Sequence, residues 1–270
     1  MKHPLIKAIG YVLAFFIIQI VAQTIVTGIT MLTTGQRDIT LGGSELVVVS
    51  VIFSLTTIAL FSFLRWTPLG PHYLRSKPWA VICWSIVAAI GVIIPSLFLQ
   101  QSLPELPDWM QKVAESSEAT FQKIIHTRGG YFVIALLAPI AEEVVFRGAA
   151  LRKLLEWKPD SPWLMIALSS LFFAVAHLNP AQMPHAFLVG LLLGWMYWRT
   201  GSIVPAIAFH WTNNTVAYLL MLWYPDPQTT LYDILGPRTL LSVAFSLCIF
   251  LPALFQLNLW MRKEQNRLPQ

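Results

Sequence analysis

Ala138-Pro139-Ile140-Ala141-Glu142-Glu143-Val144-Val145-Phe146-Arg147-Gly148 sets two carboxylates and a guanidinium inside an apolar run that extends from Tyr131 to Leu155. An ionised side chain at the centre of a bilayer costs roughly 2.5–3.5 kcal/mol even on lenient insertion scales, so three together require partners or a wet cavity. On a helix, Glu143 and Arg147 lie four apart in the favourable order and are expected to pair. Glu142 is rotated by roughly 100° from Glu143 and has no partner in its own helix. Glu143 and Arg147 therefore read as a clamp that holds the helix, and Glu142 as the reactive group.

The rest of the chain supports a membrane setting. Of its 270 residues 56% are hydrophobic and 11% charged, with a mean hydropathy of +0.63, whereas about a quarter of residues are charged in soluble domains. The net charge of +5 and pI near 9.3 would suit nucleic acid, but the basic residues stand singly at the ends of apolar runs. That is a membrane-topology pattern, and it argues against a nucleic-acid partner. Cys83 and Cys248 each sit in an apolar run and are expected to be small buried residues, with neither a disulfide framework nor a zinc-binding Cys pair.

Eight apolar runs are visible: Ala8 to Met31, Leu46 to Leu64, Pro78 to Leu99, Tyr131 to Leu155, Trp163 to Leu178, Met183 to Trp198, Ile203 to Trp223 and Leu240 to Trp260. The first is too long for a signal-peptide core and reads as a retained span. The expected fold is all-α, a polytopic membrane protein of about eight transmembrane helices in one domain over 1–270, with a working core over about 131–223. Lys and Arg bias orients it with both termini cytoplasmic. Lys2, Lys7, Arg65, Arg75, Lys77, Arg152, Lys153, Lys158, Arg199, Arg262, Lys263 and Arg267 then share the cytoplasmic side. A cell membrane is the simplest home. The polar insert from Gln100 to Gly130 reads as a helix from Trp109 to Ile125, with a partial apolar stripe that fits either an interfacial helix or a solvated linker.

Two further polar clusters lie in apolar context. Phe173 and His177 share a helix face, as do His210 and Asn214. A carboxylate away from bulk water is suited to take a proton from a water molecule, and a neighbouring imidazole can hold that water. A second imidazole and a carboxamide can donate to the oxyanion of a tetrahedral intermediate. The set is a peptide-hydrolysis kit without a covalent nucleophile; Ser169 and Ser170 read as small residues that let helices approach. Gly190 and Gly194 read as a close-packing pair, and His185 as interfacial and outside the site.

Glu142 to Arg147 matches E-E-x-x-x-R, Phe173 to His177 matches F-x-x-x-H, and His210 to Asn214 matches H-x-x-x-N. In this order they resemble the CPBP family of intramembrane proteases, which takes in type II CAAX prenyl endopeptidases and Abi-like, bacteriocin-processing members. The resemblance covers about Ala138 to Thr215. It implies Glu142 as the water-activating carboxylate supported by Glu143, Arg147 and Phe173, His177 orienting the water, and His210 with Asn214 stabilising the oxyanion. It also implies a helical bundle with a cavity open to the cytoplasmic leaflet, and a peptide or a prenylated or membrane-bound protein as substrate. Glu142, His177 and His210 could equally form a two-His, one-carboxylate zinc site, although no H-E-x-x-H helix is present; the sequence leaves both mechanisms open. A proton-coupled transporter would show two related halves, and this chain's polar groups all fall in its second half. A silent scaffold, or a peptide-binding or immunity protein using the same cavity, is the other reading.

Overall fold

The computed structural model describes residues 3–226 and 228–265. Lys2 and Arg267, which entered the orientation expectation, lie outside the described residues. The described chain is helical, with no strand. Its helices are α1 (Pro4–Thr34), α2 (Gly43–Phe63), the single turn α3 (His72–Arg75), α4 (Trp79–Gln101), α5 (Asp108–Ile125), α6 (residues 132–157), α7 (Pro162–Ala176), α8 (Met183–Thr200), α9 (Val204–Trp223), the short α10 (Leu231–Leu235) and α11 (Thr239–Gln265).

Packing follows the membrane rule, in which lipid is as apolar as leucine and close approach, not burial from water, joins helices. On α1, Ala8, Tyr11, Phe15, Ala22 and Val26 are spaced by three, four or seven residues and face inward, while Ile6, Ile9, Leu13, Ile17 and Ile20 point outward. Gly91 of α4 lies against the α11 backbone: a Cβ there would meet Phe250 N at 2.7 Å. Pro95, one turn on, has no N–H to give the Gly91 carbonyl, and Ser246 Oγ of α11 donates to that oxygen at 3.1 Å. Small residues and a proline thus specify the α4–α11 seam.

Three apolar clusters hold the helices together. Phe15, Phe61, Phe146, Leu151, Ile166 and Phe173 form one, joining α1, α2, α6 and α7. Val189, Leu193, Phe209 and Leu257 join α8, α9 and α11 in a second, and Ile125, Val133 and Leu137 tie α5 to the start of α6 in the third. Helix α5 covers the predicted Trp109–Ile125 segment and begins one residue earlier, at Asp108. Its C-terminal end is anchored and its Trp109 and Val113 are exposed.

Among the described residues four helical stretches are long and apolar enough to cross a membrane: Pro4–Thr34, Gly43–Phe63, Trp79–Gln101 and Leu231–Lys263. Helices also occupy the other four predicted spans, but α7 has only 15 residues and α6 carries the charged stretch. Several basic residues lie near one another or near the chain's N-terminal helix. Arg152 Nη2 donates to the Trp66 carbonyl at 2.7 Å, His3 lies edge-on to Trp157, and Arg199 feels Arg262. One expectation is overturned: Cys83 and Cys248 are exposed, not buried. In a span, apolar residues also clothe the outer surface, so an apolar neighbourhood does not imply burial.

Candidate active site

Helix α6 is the unusual element. An α-helical turn, Ala138–Glu143, is flanked by wide π-helical stretches at Phe132–Leu137 and Val144–Leu151. Such wide turns are rare and are frequent at functional sites. Pro139 supplies the local cause at the first junction. The Ala138 N–H goes five residues back to the Val133 carbonyl, and Pro139 has no N–H, so the Ile134 carbonyl loses both its helical partners. Asn214 Nδ2 of α9 donates to that oxygen at 3.1 Å. Two hydroxyls meet other carbonyls of α6: Thr67 Oγ1 donates to Val144 O at 2.6 Å and Ser169 Oγ to Phe146 O at 3.0 Å.

The predicted clamp is present. Arg147 Nη1 lies 2.9 Å from Glu143 Oε1, and both side chains are buried. Arg147 Nη2 donates to the Gly190 carbonyl at 3.3 Å, and its guanidinium stacks 4.3 Å above the Phe173 ring. The same Glu143 Oε1 lies 3.0 Å from His210 Nδ1, a link across 67 residues that helical spacing does not reveal. Glu142 Oε2 lies 3.6 Å from His210 Nε2. That is longer than a hydrogen bond, and this buried oxygen has no hydrogen-bonding partner among the described residues. His210 thus stands between the two carboxylates, one locked and the other open.

His177 caps the end of α7. Leu178 takes a left-handed φ of 51° and stops the helix there, and His177 Nδ1 lies 2.8 Å from the Phe173 carbonyl. A carbonyl only accepts, so Nδ1 carries the hydrogen and Nε2 is left as an acceptor. The Phe173 ring meets His177 edge-on at 4.7 Å and His210 at 5.6 Å between centroids. One phenyl ring therefore spaces both imidazoles and the arginine. Glu142 retains a fifth of its side-chain exposure whereas Glu143 has none, so the open carboxylate is also the reachable one.

The structure brings Glu142, Glu143, Arg147, Phe173, His177 and His210 together, with Asn214 one helical turn from His210. Among the described residues no three His, Cys, Asp or Glu side chains come together as an ion-binding group. With the Nδ1 atoms of His177 and His210 held by the Phe173 carbonyl and the Glu143 carboxylate, Nε2 is the ring atom that each would offer to an ion or a water. Two cavities, of about 320 and 410 Å³, lie beside Arg152 and Tyr197 and along the outer face of α1 at Thr24 and Gly28; neither borders these residues. Gly190 and Gly194 pack as expected: a Cβ on Gly190 would meet Ser170 Cβ at 2.9 Å, and one on Gly194 would meet Ile166 Cγ2 at 2.9 Å. His185, read as interfacial and outside the site, is partly buried and hydrogen-bonded to Ser96 Oγ of α4.

Comparison with known proteins agrees with the three motifs. Residues 126–216 match the family described as type II CAAX prenyl endopeptidase Rce1-like, and this segment contains all seven predicted site residues. An Escherichia coli protein described as an uncharacterized 24.3 kDa protein is 27% identical over 137 residues, which cover 50% of this chain and 62% of that protein. The match therefore spans less than two thirds of that relative's length. No solved structure matches the chain.

Proposed function

We propose that this chain, whose residues 126–216 match the type II CAAX prenyl endopeptidase family, is an intramembrane endopeptidase that hydrolyses a peptide bond with a water activated by Glu142. The observation that carries the reading is the 3.6 Å separation of Glu142 Oε2 from His210 Nε2, with the other imidazole nitrogen fixed by Glu143. A carboxylate with a buried, unpartnered oxygen is suited to bind a water and take its proton. His177 Nε2, free to accept, can hold the same water. Its oxygen attacks the peptide carbonyl carbon, and the proton on Glu142 passes to the leaving nitrogen as the C–N bond breaks. The second amide hydrogen of Asn214 would stabilise the oxyanion, joined by His210 acting as an imidazolium, with its Nδ1–H spent on Glu143 and its Nε2–H left for the oxyanion. Glu143, Arg147 and Phe173 hold these groups in place without touching substrate.

In this reading α6 to α9 complete eight crossings around a cavity open to the cytoplasmic leaflet, in one domain over 1–270. Both termini are cytoplasmic in a cell membrane, a reading supported by the Lys and Arg bias of the loops. The substrate is a peptide or a prenylated or otherwise membrane-bound protein, since a site at membrane depth meets segments held in or at the bilayer.

The test is cleavage of a library of membrane-tethered peptides, with and without a prenyl group, by purified protein in lipid vesicles. Glu142→Ala and His177→Ala should abolish product while thermal melting stays that of the parent. Parental cleavage by both variants would discard the assignment. The same assay with a strong chelator reports any dependence on a bound ion.

A further inference from the structure

Away from the candidate active site, a cavity of about 320 Å³ lies between the ends of α6 and α8, lined by Arg152, Leu155, Glu156, Tyr197, Trp198 and Gly201. Both helices leave their apolar runs at this level. Charges return at Arg152 and Lys153 on α6 and at Arg199 on α8. The Arg199 guanidinium stands 6.0 Å over the Trp198 ring, and Trp198 meets the exposed Trp163 of α7 edge-on at 5.9 Å. Aromatic rings interleaved with basic side chains at the ends of spans mark the depth of lipid headgroups.

The cavity holds donors that the protein leaves unspent. Arg152 is fixed at three points: Nε donates to the Gly148 carbonyl at 3.1 Å, Nη2 to the Trp66 carbonyl at 2.7 Å and Nη1 to Glu156 Oε1 at 3.3 Å. A guanidinium has five N–H groups, so two remain free on a fork that is already held in place. Tyr197 is 8% exposed, and its hydroxyl has no hydrogen-bonding partner among the described residues. A buried hydroxyl without a partner is costly, and the cavity it lines is where that hydrogen can be given. Lys153 Nζ lies 2.7 Å from Glu156 Oε1, so two cations, Arg152 and Lys153, meet one carboxylate and one positive charge is left over. Leu155 and Trp198 make the remaining wall apolar.

We propose that this cavity binds the headgroup of an anionic phospholipid, whose phosphodiester accepts from Arg152 and from the Tyr197 hydroxyl while its glycerol and acyl chains run over Leu155, Trp198 and Trp163. The positive charge left over matches the single negative charge of such a lipid; a zwitterionic headgroup would bring a further cation beside Arg152 and Lys153. Basic pockets between spans are a general means of holding phosphate headgroups, and a soluble phosphate would leave the apolar wall without a partner. The inference rests on the membrane setting and is independent of the endopeptidase reading.

The test titrates full-length protein in an uncharged detergent with dioctanoyl phosphatidylglycerol, dioctanoyl phosphatidylcholine and glycerophosphoglycerol, which is the first headgroup without its acyl chains. Native mass spectrometry reads the dissociation constants, and thermal melting is followed in parallel. Phosphatidylglycerol should fill one saturable site at least about tenfold more tightly than phosphatidylcholine, and should raise the melting temperature as a ligand of the folded state does. Tyr197→Phe removes only a hydroxyl; losing one hydrogen bond to a charged group should weaken phosphatidylglycerol about tenfold while the lipid-free protein melts as the parent does. Lys153, whose partner among the described residues is Glu156, supplies a second variant: Lys153→Gln takes the charge sum to zero and should shrink the preference for phosphatidylglycerol over phosphatidylcholine. Equal binding of the two lipids by the parent, or parental affinity in folded Tyr197→Phe, would reduce the contact to ordinary surrounding lipid and overturn the proposal. Should Tyr197→Phe fail to fold, an unchanged preference in Lys153→Gln overturns it instead. Glycerophosphoglycerol binding as tightly as the lipid would assign the cavity to a soluble phosphodiester, and the proposal would fall on that result as well.

Discussion

His210 Nδ1 and Arg147 Nη1 both lie against a single oxygen of Glu143, at 3.0 and 2.9 Å. Two motifs that are far apart in the chain are therefore joined through one buried carboxylate. Glu143 does more than neutralise Arg147 within its own helix; it also sets the angle at which His210 meets Glu142.

Glu143→Ala should lower stability and activity together. It leaves Arg147 buried and unpaired, a defect that costs about 3–5 kcal/mol. Adding Arg147→Met removes the orphaned charge and should restore much of the melting temperature. It should not restore cleavage, because His210 is still unsteered. Melting in detergent and cleavage in vesicles separate the two roles, and an unchanged melting temperature in Glu143→Ala would remove the clamp from the account.

Phe173 touches Arg147, His177 and His210 through one ring. Phe173→Ala should destabilise by about 3–5 kcal/mol, as large-to-small changes in packed cores do. Phe173→Leu keeps most of the volume and loses the ring, so its kcat should fall further than its stability predicts. Equal and small losses in both variants would make Phe173 ordinary packing.

Asn214 bonds the carbonyl that Pro139 leaves without a helical partner. Asn214→Leu exposes that defect and should cost about 1–3 kcal/mol, the penalty of an unsatisfied buried group. In a Pro139→Ala chain residue 139 regains an N–H, and the same Asn214 change should cost less. A double-mutant cycle measures the difference, expected at about 0.5–3 kcal/mol for coupled neighbours. A coupling of zero would mean that the wide turn has another cause.

The helices and the intrahelical pairs were legible because they depend on local spacing. Apolar length located the helices, four of which among the described residues are long and apolar enough to cross a membrane, and four-residue spacing joined Glu143 to Arg147 and Phe173 to His177. What local spacing could not supply were the contacts between helices. Glu143 to His210 and Ser96 to His185 cross 67 and 89 residues, and nothing in either segment names the other. The π-helical turns were equally hidden: Pro139 announces a lost hydrogen bond, but where the freed carbonyl finds a donor depends on α9. Cys83 and Cys248 misled because hydropathy does not distinguish a residue facing lipid from one facing another helix.

Gly190 offers the sharpest test of how close packing serves the site. Its carbonyl receives Arg147 at 3.3 Å, and its missing side chain lets α8 lie against Ser170 of α7; a Cβ would meet Ser170 Cβ at 2.9 Å and Cα at 3.1 Å. Because one of those atoms is backbone, no rotamer change relieves the contact. Gly190→Ala should force α8 away from α7 and cost about 1–3 kcal/mol, as overpacking of tight cores does. The shift also lengthens the Arg147–Gly190 bond, so kcat should fall as well. Ser170→Gly removes the Cβ and hydroxyl that face Gly190, and the double variant should regain part of both losses. Melting and cleavage of the two single variants and the double decide it: a double variant no better than Gly190→Ala would mean that the carbonyl contact with Arg147, and not helix spacing, is what position 190 protects.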